Sequence, residues 1–152
     1  MRAVAMKPVY DSKNFDPRES IGALVGRTRK AMIQMMDAEL APLQVSAAQW
    51  LVVLLVGEDR AASAAGLCDA LSHDPGAMTR LLDRLEEKGV VRRVRDAEDR
   101  RTVRIELTDS GKVLYPKIIE AMVDVYNRLL RGFSKSEVNE LETYLKRMLA
   151  NA

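Results

Sequence analysis

The chain has 152 residues, 47% of them hydrophobic and 30% charged, which is typical of one soluble globular domain or of two small ones that share a core. No apolar run approaches the roughly 18 residues that cross a bilayer, so we expect no signal peptide, no membrane partner and a cytoplasmic location. The formal net charge of +2 is too small for a protein that coats nucleic acids without specificity, so the local distribution of charge matters more than its total.

The N-terminal part of the chain divides into an arm and a long helix. Residues 1–16 show no periodicity and are expected to form a flexible arm. From Pro17, apolar residues recur at three- and four-residue spacing, which predicts a helix that ends at Pro42. Its apolar face is wide for so small a domain, so we expect it to bury against a partner chain as well as its own core. We therefore assign residues 17–45 to a dimerisation helix.

Two shorter helices are predicted next. Ser46 and Gln49 have the spacing of a capping box, which opens the second helix, and Gly57 closes it. A third helix is expected from about Ser63 to Leu71, with leucines facing inward.

The stretch 72–89 carries start and stop signals for a fourth helix. Pro75 lies near its first turn, where a missing N–H costs nothing, and Gly89 supplies the stop. One buried stripe is expected from apolar residues at helical spacing: Met78, Leu81, Leu82 and Leu85. Because a tight polar turn at 72–74 joins this helix to the third, the pair predicts a helix-turn-helix.

Residues 90–107 are predicted to form a two-stranded hairpin with a turn at 96–99. Val103, Ile105 and Leu107 alternate with polar residues, which indicates a strand with one buried and one solvent-facing side. Six arginines against three acids lie between residues 92 and 104, so this stretch of 13 residues has a charge of +3. We interpret the hairpin as a basic wing, and residues 46–108 as one winged helix-turn-helix region.

Two further helices complete the chain. Thr108, Asp109 and Ser110 are expected to cap a long fifth helix that Gly132 stops, with Pro116 bending it or marking its first turns. A second capping box, Ser134 to Glu137, opens a last helix whose apolar residues are expected to face inward. Residues 109–152 are assigned to dimerisation. The predicted fold class is mainly α with a small β-hairpin wing: a DNA-binding lobe joined to a helical dimerisation lobe.

Three motifs occur in this order along the chain. They are Asp-Pro-Gly-Ala-Met-Thr-Arg-Leu-Leu-Asp-Arg-Leu-Glu-Glu-Lys-Gly at 74–89, Asp-Arg-Arg at 99–101, and Leu-Thr-Asp-Ser-Gly at 107–111. Together they resemble MarR-type winged helix-turn-helix transcriptional regulators, over roughly residues 18–150. The resemblance implies a homodimer built from the N- and C-terminal helices. Its two recognition helices would lie about one turn of DNA apart, so the double-stranded DNA site should be pseudo-palindromic.

The fourth helix is the predicted reader of the major groove. Arg80 lies off the apolar stripe, and its guanidinium can bind guanine O6 and N7; the alternative is a solvated arginine paired with Asp83 or Asp74. Thr79 and Gly76 are candidates for lesser contacts, although Gly76 could simply open the helix. Arg84 is a further predicted DNA contact.

The hairpin is the predicted reader of the minor groove. Phosphate repels an aspartate unless an arginine neutralises it, so we infer that Asp99 pairs with one arginine and fixes the wing. By the family resemblance, Arg101 enters the groove, with Arg100 the alternative. The other hairpin arginines, among them Arg93 and Arg95, are expected to contact phosphates or to lie on a solvated face.

A small-molecule pocket is implied where the dimerisation helices meet the DNA-binding lobe. In the family this junction often holds phenolic or aromatic carboxylate compounds, and Ala48-Gln49-Trp50 resembles the branch that responds to aromatic acids. Lys30, Met35 and Trp50 are candidate lining residues; alternatively Lys30 is a surface lysine, and Met35 and Trp50 are core. His73 is expected to cap a helix or contact phosphate, with a ligand or proton-sensing role as the alternative.

The chain is therefore expected to be a dimeric DNA-binding regulator. The family resemblance implies a repressor that a small aromatic or phenolic effector releases from DNA. No Gly-rich phosphate loop, Gly-x-Ser-x-Gly or catalytic Cys-His pair is present, so we expect neither an enzyme nor a cofactor. One His and one Cys cannot form the usual metal cage, and the lone Cys68 favours a reducing compartment. The alternatives are a helical dimeric interaction protein and an oxidant-sensing regulator that uses Cys68.

Overall fold

The computed structural model describes residues 8–59, 63–95 and 103–152. Over these ranges the chain forms helices and one antiparallel hairpin, so the predicted mainly α class with a small hairpin is confirmed. The helices are α1 (Ile21–Leu40), a short 3-10 helix (Ala41–Leu43), α2 (Ala47–Gly57), α3 (Ala64–Leu71), α4 (Pro75–Glu87), α5 (Asp109–Leu129) and α6 (Lys135–Ala150), and the strands are β1 (Val91–Arg95) and β2 (Val103–Leu107).

Local capping fixes where the helices begin. The two predicted capping boxes are confirmed: Ser46 with Gln49 opens α2, and Ser134 with Glu137 opens α6. The predicted start of the first helix at Pro17 is wrong. Ser20 is the N-cap, because its hydroxyl oxygen accepts a hydrogen bond from the Ala23 amide and its hydroxyl donates to the Pro17 carbonyl.

Helix α4 has the predicted boundaries. Asp74 caps it by accepting a hydrogen bond from the Ala77 amide, and Pro75 occupies the first turn. Gly89 follows the helix with a φ of +68°, a left-handed conformation that glycine adopts without strain. Of the predicted stripe, Met78, Leu82 and Leu85 are buried, whereas Leu81 is half-buried.

The hairpin pairs β1 with β2 in antiparallel register, with Val91 opposite Leu107 and Arg95 opposite Val103. Ser63 forms a further antiparallel bridge with Arg104, which also pairs with Val94, so the segment before α3 lies along the other edge of β2. The predicted turn at 96–99, the Asp-Arg-Arg motif at 99–101 and Thr102 all lie outside the described residues.

The Thr-x-x-Gly motif at 108–111 joins the hairpin to α5. Thr108 caps α5, with its hydroxyl oxygen accepting from the Gly111 amide at 3.0 Å and its hydroxyl donating to the Gly89 carbonyl. A Cβ atom at Gly111 would collide with the Val90 carbonyl oxygen. The motif therefore allows α5 to start directly against the turn that ends α4. Helix α5 continues through Pro116 to Leu129.

One core connects the two parts of the fold. Its DNA-lobe members come mainly from α2, α4 and the hairpin, and Met36, Leu40, Ile118, Met122 and Val125 extend it between α1 and α5. Burial of this apolar surface is the main force that holds the long helices to the compact lobe.

Helix α6 does not follow its prediction. Its apolar residues were expected to face inward, but Leu141, Tyr144, Leu145 and Met148 are exposed, and Leu149 is 76% exposed. The helical periodicity is correct, yet the described residues provide no cover for the stripe.

Among the described residues no single helix is long and apolar enough to cross a membrane. One bent pair, Ile21–Leu43 with Ala47–Gly57 at 71°, meets the length and composition criteria together.

Candidate nucleic-acid interface and ligand cavity

The turn between α3 and α4 sets the direction of α4. Ser72 ends α3 in a left-handed conformation with a φ of +51°, and the His73 amide donates to the Cys68 carbonyl at 3.0 Å. Asp74 then caps α4 at once. The two helices are therefore joined by a turn of three residues, which is the predicted helix-turn-helix.

The predicted DNA contacts on α4 all lie at its surface. Gly76, Thr79, Arg80 and Arg84 are exposed. The Thr79 hydroxyl donates to the Pro75 carbonyl at 2.8 Å, so its oxygen is left to accept from another donor. Arg84 lies in the last turn, where its charge also favours the negative end of the helix dipole.

Arg80 lies along the first turn of α4. An ideal Cβ atom at Gly76 would be 3.5 Å from Arg80 Nη1, so the glycine leaves room for the guanidinium above the start of the helix. Arg80 makes no ion pair with a described residue, and Asp83, one of its two candidate partners, binds Arg93 instead. The second candidate, Asp74, forms no ion pair with Arg80, although the charge of Arg80 helps to lower the pKa of Asp74.

The hairpin arginines differ in their partners. Arg92 pairs with Glu106 across the hairpin at 3.0 Å, whereas Arg93 binds Asp83 and Glu86 on α4. Arg95 is exposed at the end of β1. The predicted wing residues Asp99, Arg100 and Arg101 lie outside the described residues, so their roles stay predictions.

A cavity of about 420 Å³ lies between α1, the start of α2, the α3–α4 turn and α5. This is the predicted junction of the dimerisation helices with the DNA-binding lobe. Of the four predicted ligand residues, Trp50 and His73 line it together. Lys30 is exposed on α1 and Met35 is half-buried against the core, and neither is among the described residues that line the cavity.

Sequence reasoning missed the wall that α1 provides. The lining residues of α1 are spaced by three and four: Arg29, Met32, Ile33, Met36 and Asp37. That spacing places them on one face of the helix, and Lys30 and Met35 lie beside it. The periodicity is present in the sequence, but a core-facing side and a cavity-lining side of a helix have the same spacing, so the pattern alone does not distinguish them.

Polar groups in the cavity wall could orient a ligand. Trp50 is 7% exposed, and its Nε1 atom has no hydrogen-bond partner among the described residues. His73 Nδ1 lies 2.8 Å from the Leu71 carbonyl, which can only accept, so this nitrogen donates and Nε2 is left for another partner. Partial burial raises the pKa of Tyr126, which favours the neutral phenol.

The described residues give little support for an oxidant-sensing cysteine or a metal site. Cys68 is half-buried in α3 and packs against the core. Within the described ranges, no group of three His, Cys, Asp or Glu side chains could hold a metal ion.

A helix-turn-helix whose second helix exposes arginines, followed by an arginine-bearing hairpin, defines a winged-helix DNA-binding fold. The comparisons agree. The profile of the MarR family matches residues 45–103. The multiple antibiotic resistance protein MarR of Escherichia coli (strain K12) is 31% identical over 130 residues, which cover 85% of this chain and 90% of that protein.

Two solved structures show the same fold with ligands of different kinds. A cysteine-to-serine variant of Escherichia coli MarR complexed with operator DNA has a TM-score of 0.79 and 30% identity, covering 89% of this chain and 99% of that one. CouR from Rhodococcus jostii RHA1, bound to p-coumaroyl-CoA, has a TM-score of 0.77 and 25% identity, covering 86% and 92%.

The chain belongs to the MarR family. It is a DNA-binding transcriptional regulator with a winged-helix fold, as the sequence predicted, and its relatives are regulators rather than enzymes.

Proposed function

We propose that two copies of this chain bind a pseudo-palindromic operator as a repressor, and that a small aromatic molecule releases them. The exposed position of Arg80 on α4 is the main support for the proposed DNA binding. Arg80 is exposed over the start of a well-capped helix and makes no ion pair with a described residue, so its guanidinium is available for a guanine edge. Its place in a fold that binds operator DNA in the Escherichia coli relative supports the same use here.

The exposed apolar surface supports the dimer. The stripe of α6 and the start of α1, where Ile21, Leu24 and Val25 are also exposed, would otherwise leave extensive apolar surface in water. A second copy would cover both, which matches the proposed dimerisation regions 17–45 and 109–152. A two-fold dimer presents two α4 helices symmetrically, so the operator should be pseudo-palindromic.

A test of the dimer uses the α6 stripe. Leu145→Glu places a charge on the stripe and should give a monomer in sedimentation equilibrium with much weaker operator binding. Asn139→Glu adds the same charge on the other side of α6 and should leave the dimer intact. A wild-type monomer at the concentrations used for DNA binding would contradict the proposal.

The cavity supports an aromatic effector. Its volume of about 420 Å³ suits a ligand with one or two rings, and methionines and Trp50 provide apolar walls. Arg29 could pair with a carboxylate. The CouR complex with p-coumaroyl-CoA supports an aromatic acid derivative as the class of ligand.

Trp50 is the only tryptophan of the chain, so its fluorescence reports directly on the cavity. We expect benzoate or 4-hydroxycinnamate to change Trp50 emission and to release operator DNA, and cyclohexanecarboxylate to do so more weakly. Arg29→Met should weaken the binding of the aromatic carboxylates. Lys30→Met, which changes a residue beside the cavity, should leave their binding unchanged. Absence of any effect of the aromatic acids on emission or DNA binding would rule out this effector class.

A further inference from the structure

The hairpin is tied to α4 through one arginine and two carboxylates. The Arg93 guanidinium donates to Asp83 Oδ1 at 2.7 Å and to Glu86 Oε2 at 2.5 Å. The Arg93 backbone amide also donates to Glu86 Oε1, at 3.0 Å. Glu86 therefore holds both the backbone and the side chain of the same β1 residue.

The register of the hairpin explains why Arg93, and not its neighbour, makes these contacts. Arg93 lies opposite the buried Ile105, on the side of the hairpin that faces the core and α4. Since successive strand residues point to opposite sides, Arg92 faces the other way and pairs with Glu106 within the hairpin. The two adjacent arginines thus have the same charge but different contacts: Arg92 binds within the hairpin, and Arg93 connects the hairpin to α4.

The charges of this cluster disfavour a phosphate contact by Arg93. Its side chain is 32% exposed. Partial burial lowers its pKa, but the hydrogen bonds to Asp83 and Glu86 outweigh this, so the pKa of Arg93 is raised. A phosphate that bound this guanidinium would compete with two carboxylates and leave them beside the DNA without a counter-charge.

We propose that Arg93 is a positioning residue, which fixes the hairpin relative to the DNA-reading face of α4 and so contributes to sequence specificity without touching DNA. This refines the expectation that it contacts phosphate, and it rests on the proposed sequence-specific binding. Asp83 lies three residues after Arg80, so the bridge holds the hairpin close to the residue that reads bases. Helix α4 and the hairpin then keep a fixed spacing. A DNA sequence that fits one of them poorly is therefore bound more weakly.

The test compares Arg93→Gln, Glu86→Gln and Arg92→Gln with the wild type. Binding is measured by fluorescence anisotropy to a duplex that the wild type selects from a random library and to a shuffled duplex, over a range of salt concentrations. Arg92→Gln is the matched control, because it removes the same charge from the adjacent residue without touching α4.

We expect Arg93→Gln and Glu86→Gln each to lower the ratio of selected to shuffled affinity by about tenfold, within the range of couplings between contacting residues. The salt slope of Arg93→Gln should stay close to that of the wild type, because the substitution removes no phosphate contact. Arg92→Gln should keep the specificity ratio.

A phosphate contact gives the opposite pattern. The salt slope of Arg93→Gln would become shallower by about 2 for the dimer, with the specificity ratio unchanged. Glu86→Gln would then raise the affinity for both duplexes alike. Either result would overturn the positioning role. A wild type that does not distinguish the two duplexes would instead overturn the proposed function, whatever the variants do.

Discussion

Lys88 Nζ lies 3.2 Å from Gln49 Oε1, which joins the end of the recognition helix α4 to the first turn of α2. The same ammonium donates to the Gln44 carbonyl at 2.5 Å. Gln49 is only 3% exposed, and its Oε1 atom also accepts from the Ser46 amide. The contact therefore belongs to the network that starts α2.

The first turn of α2 touches the cavity on its other side. Residues of a helix are about 100° apart, so Gln49 points away from Ala47, Trp50 and Leu51, which line the cavity. A ligand that displaces this turn would move the carbonyl and amide groups that hold Lys88. Coupling of this kind is reciprocal, so DNA bound at α4 should also change the conformation and the ligand affinity of the cavity.

Substitution of Lys88 tests this coupling without any effector. Operator binding should change the emission of Trp50 in the wild type, and Lys88→Met should reduce that change while the variant still binds at higher protein concentration. Lys117→Met removes one lysine charge from α5 and is the matched control. An unaltered change of emission in Lys88→Met, or none in the wild type, would contradict the coupling.

Arg80→Ala should relax specificity at one base position in each half-site. A bidentate contact between arginine and guanine gives about 1–3 kcal/mol of discrimination. Arg95→Ala should instead weaken binding to all sequences alike and make the salt slope shallower by about 1 per contact. Uniform weakening by Arg80→Ala, measured against duplexes mutated at each position, would refute the base-reading role.

Gly111→Ala should be strongly destabilising, because the added methyl group would meet the backbone oxygen of Val90. Overpacking typically lowers the free energy of unfolding by about 1–3 kcal/mol. The backbone carbonyl of Val90 cannot rotate away from the added methyl group as a side chain can. Gly57→Ala is the comparison: its methyl would lie 2.5 Å from the ring of Tyr115, which can move. Urea unfolding at one fixed protein concentration should therefore rank Gly111→Ala as less stable than Gly57→Ala.

Acid should weaken the start of α4. The hydrogen bond from the Ala77 amide holds the pKa of Asp74 below its ordinary value of 3.8. Because the pKa is lowered on folding, ionised Asp74 stabilises the fold above pH 3.8, and this contribution is lost as the pH falls through the lower, folded-state value. Asp74→Ser keeps a neutral cap, so its unfolding free energy should fall less steeply below pH 3.8 than that of the wild type. Parallel curves would show that the carboxylate contributes nothing.

Local signals explain which elements could be predicted from the sequence. A capping box needs only Ser134 and Glu137, three residues apart, and the stop at Gly89 needs only one residue with a positive φ. The winged fold followed because such signals occur in a specific order. The start of α1 was misplaced because Pro17 and Ser20 both suit a helix start, and only the hydrogen bond to Ala23 distinguishes them.

Long-range contacts explain what could not be predicted. The partner of Lys88 is 39 residues away, and the cavity wall formed by Tyr126 comes from a helix distant in sequence. The bridge from Arg93 to Glu86 depends on the side of the hairpin that faces α4, which the charge pattern alone does not reveal. The exposed stripe of α6 shows the same limit, because periodicity predicts an apolar face but not which chain covers it.

Sequence-specific binding by a symmetric dimer can be tested by selecting genomic fragments with the purified wild-type protein. We expect the selected fragments to share one pseudo-palindromic site with half-site centres about 10 bp apart, or a multiple of that spacing. The salt slope of binding to that site should be about −7 if the dimer neutralises some eight phosphates. Fragments without a shared site would rule out sequence-specific binding, and a site without two-fold symmetry would rule out binding by a symmetric dimer.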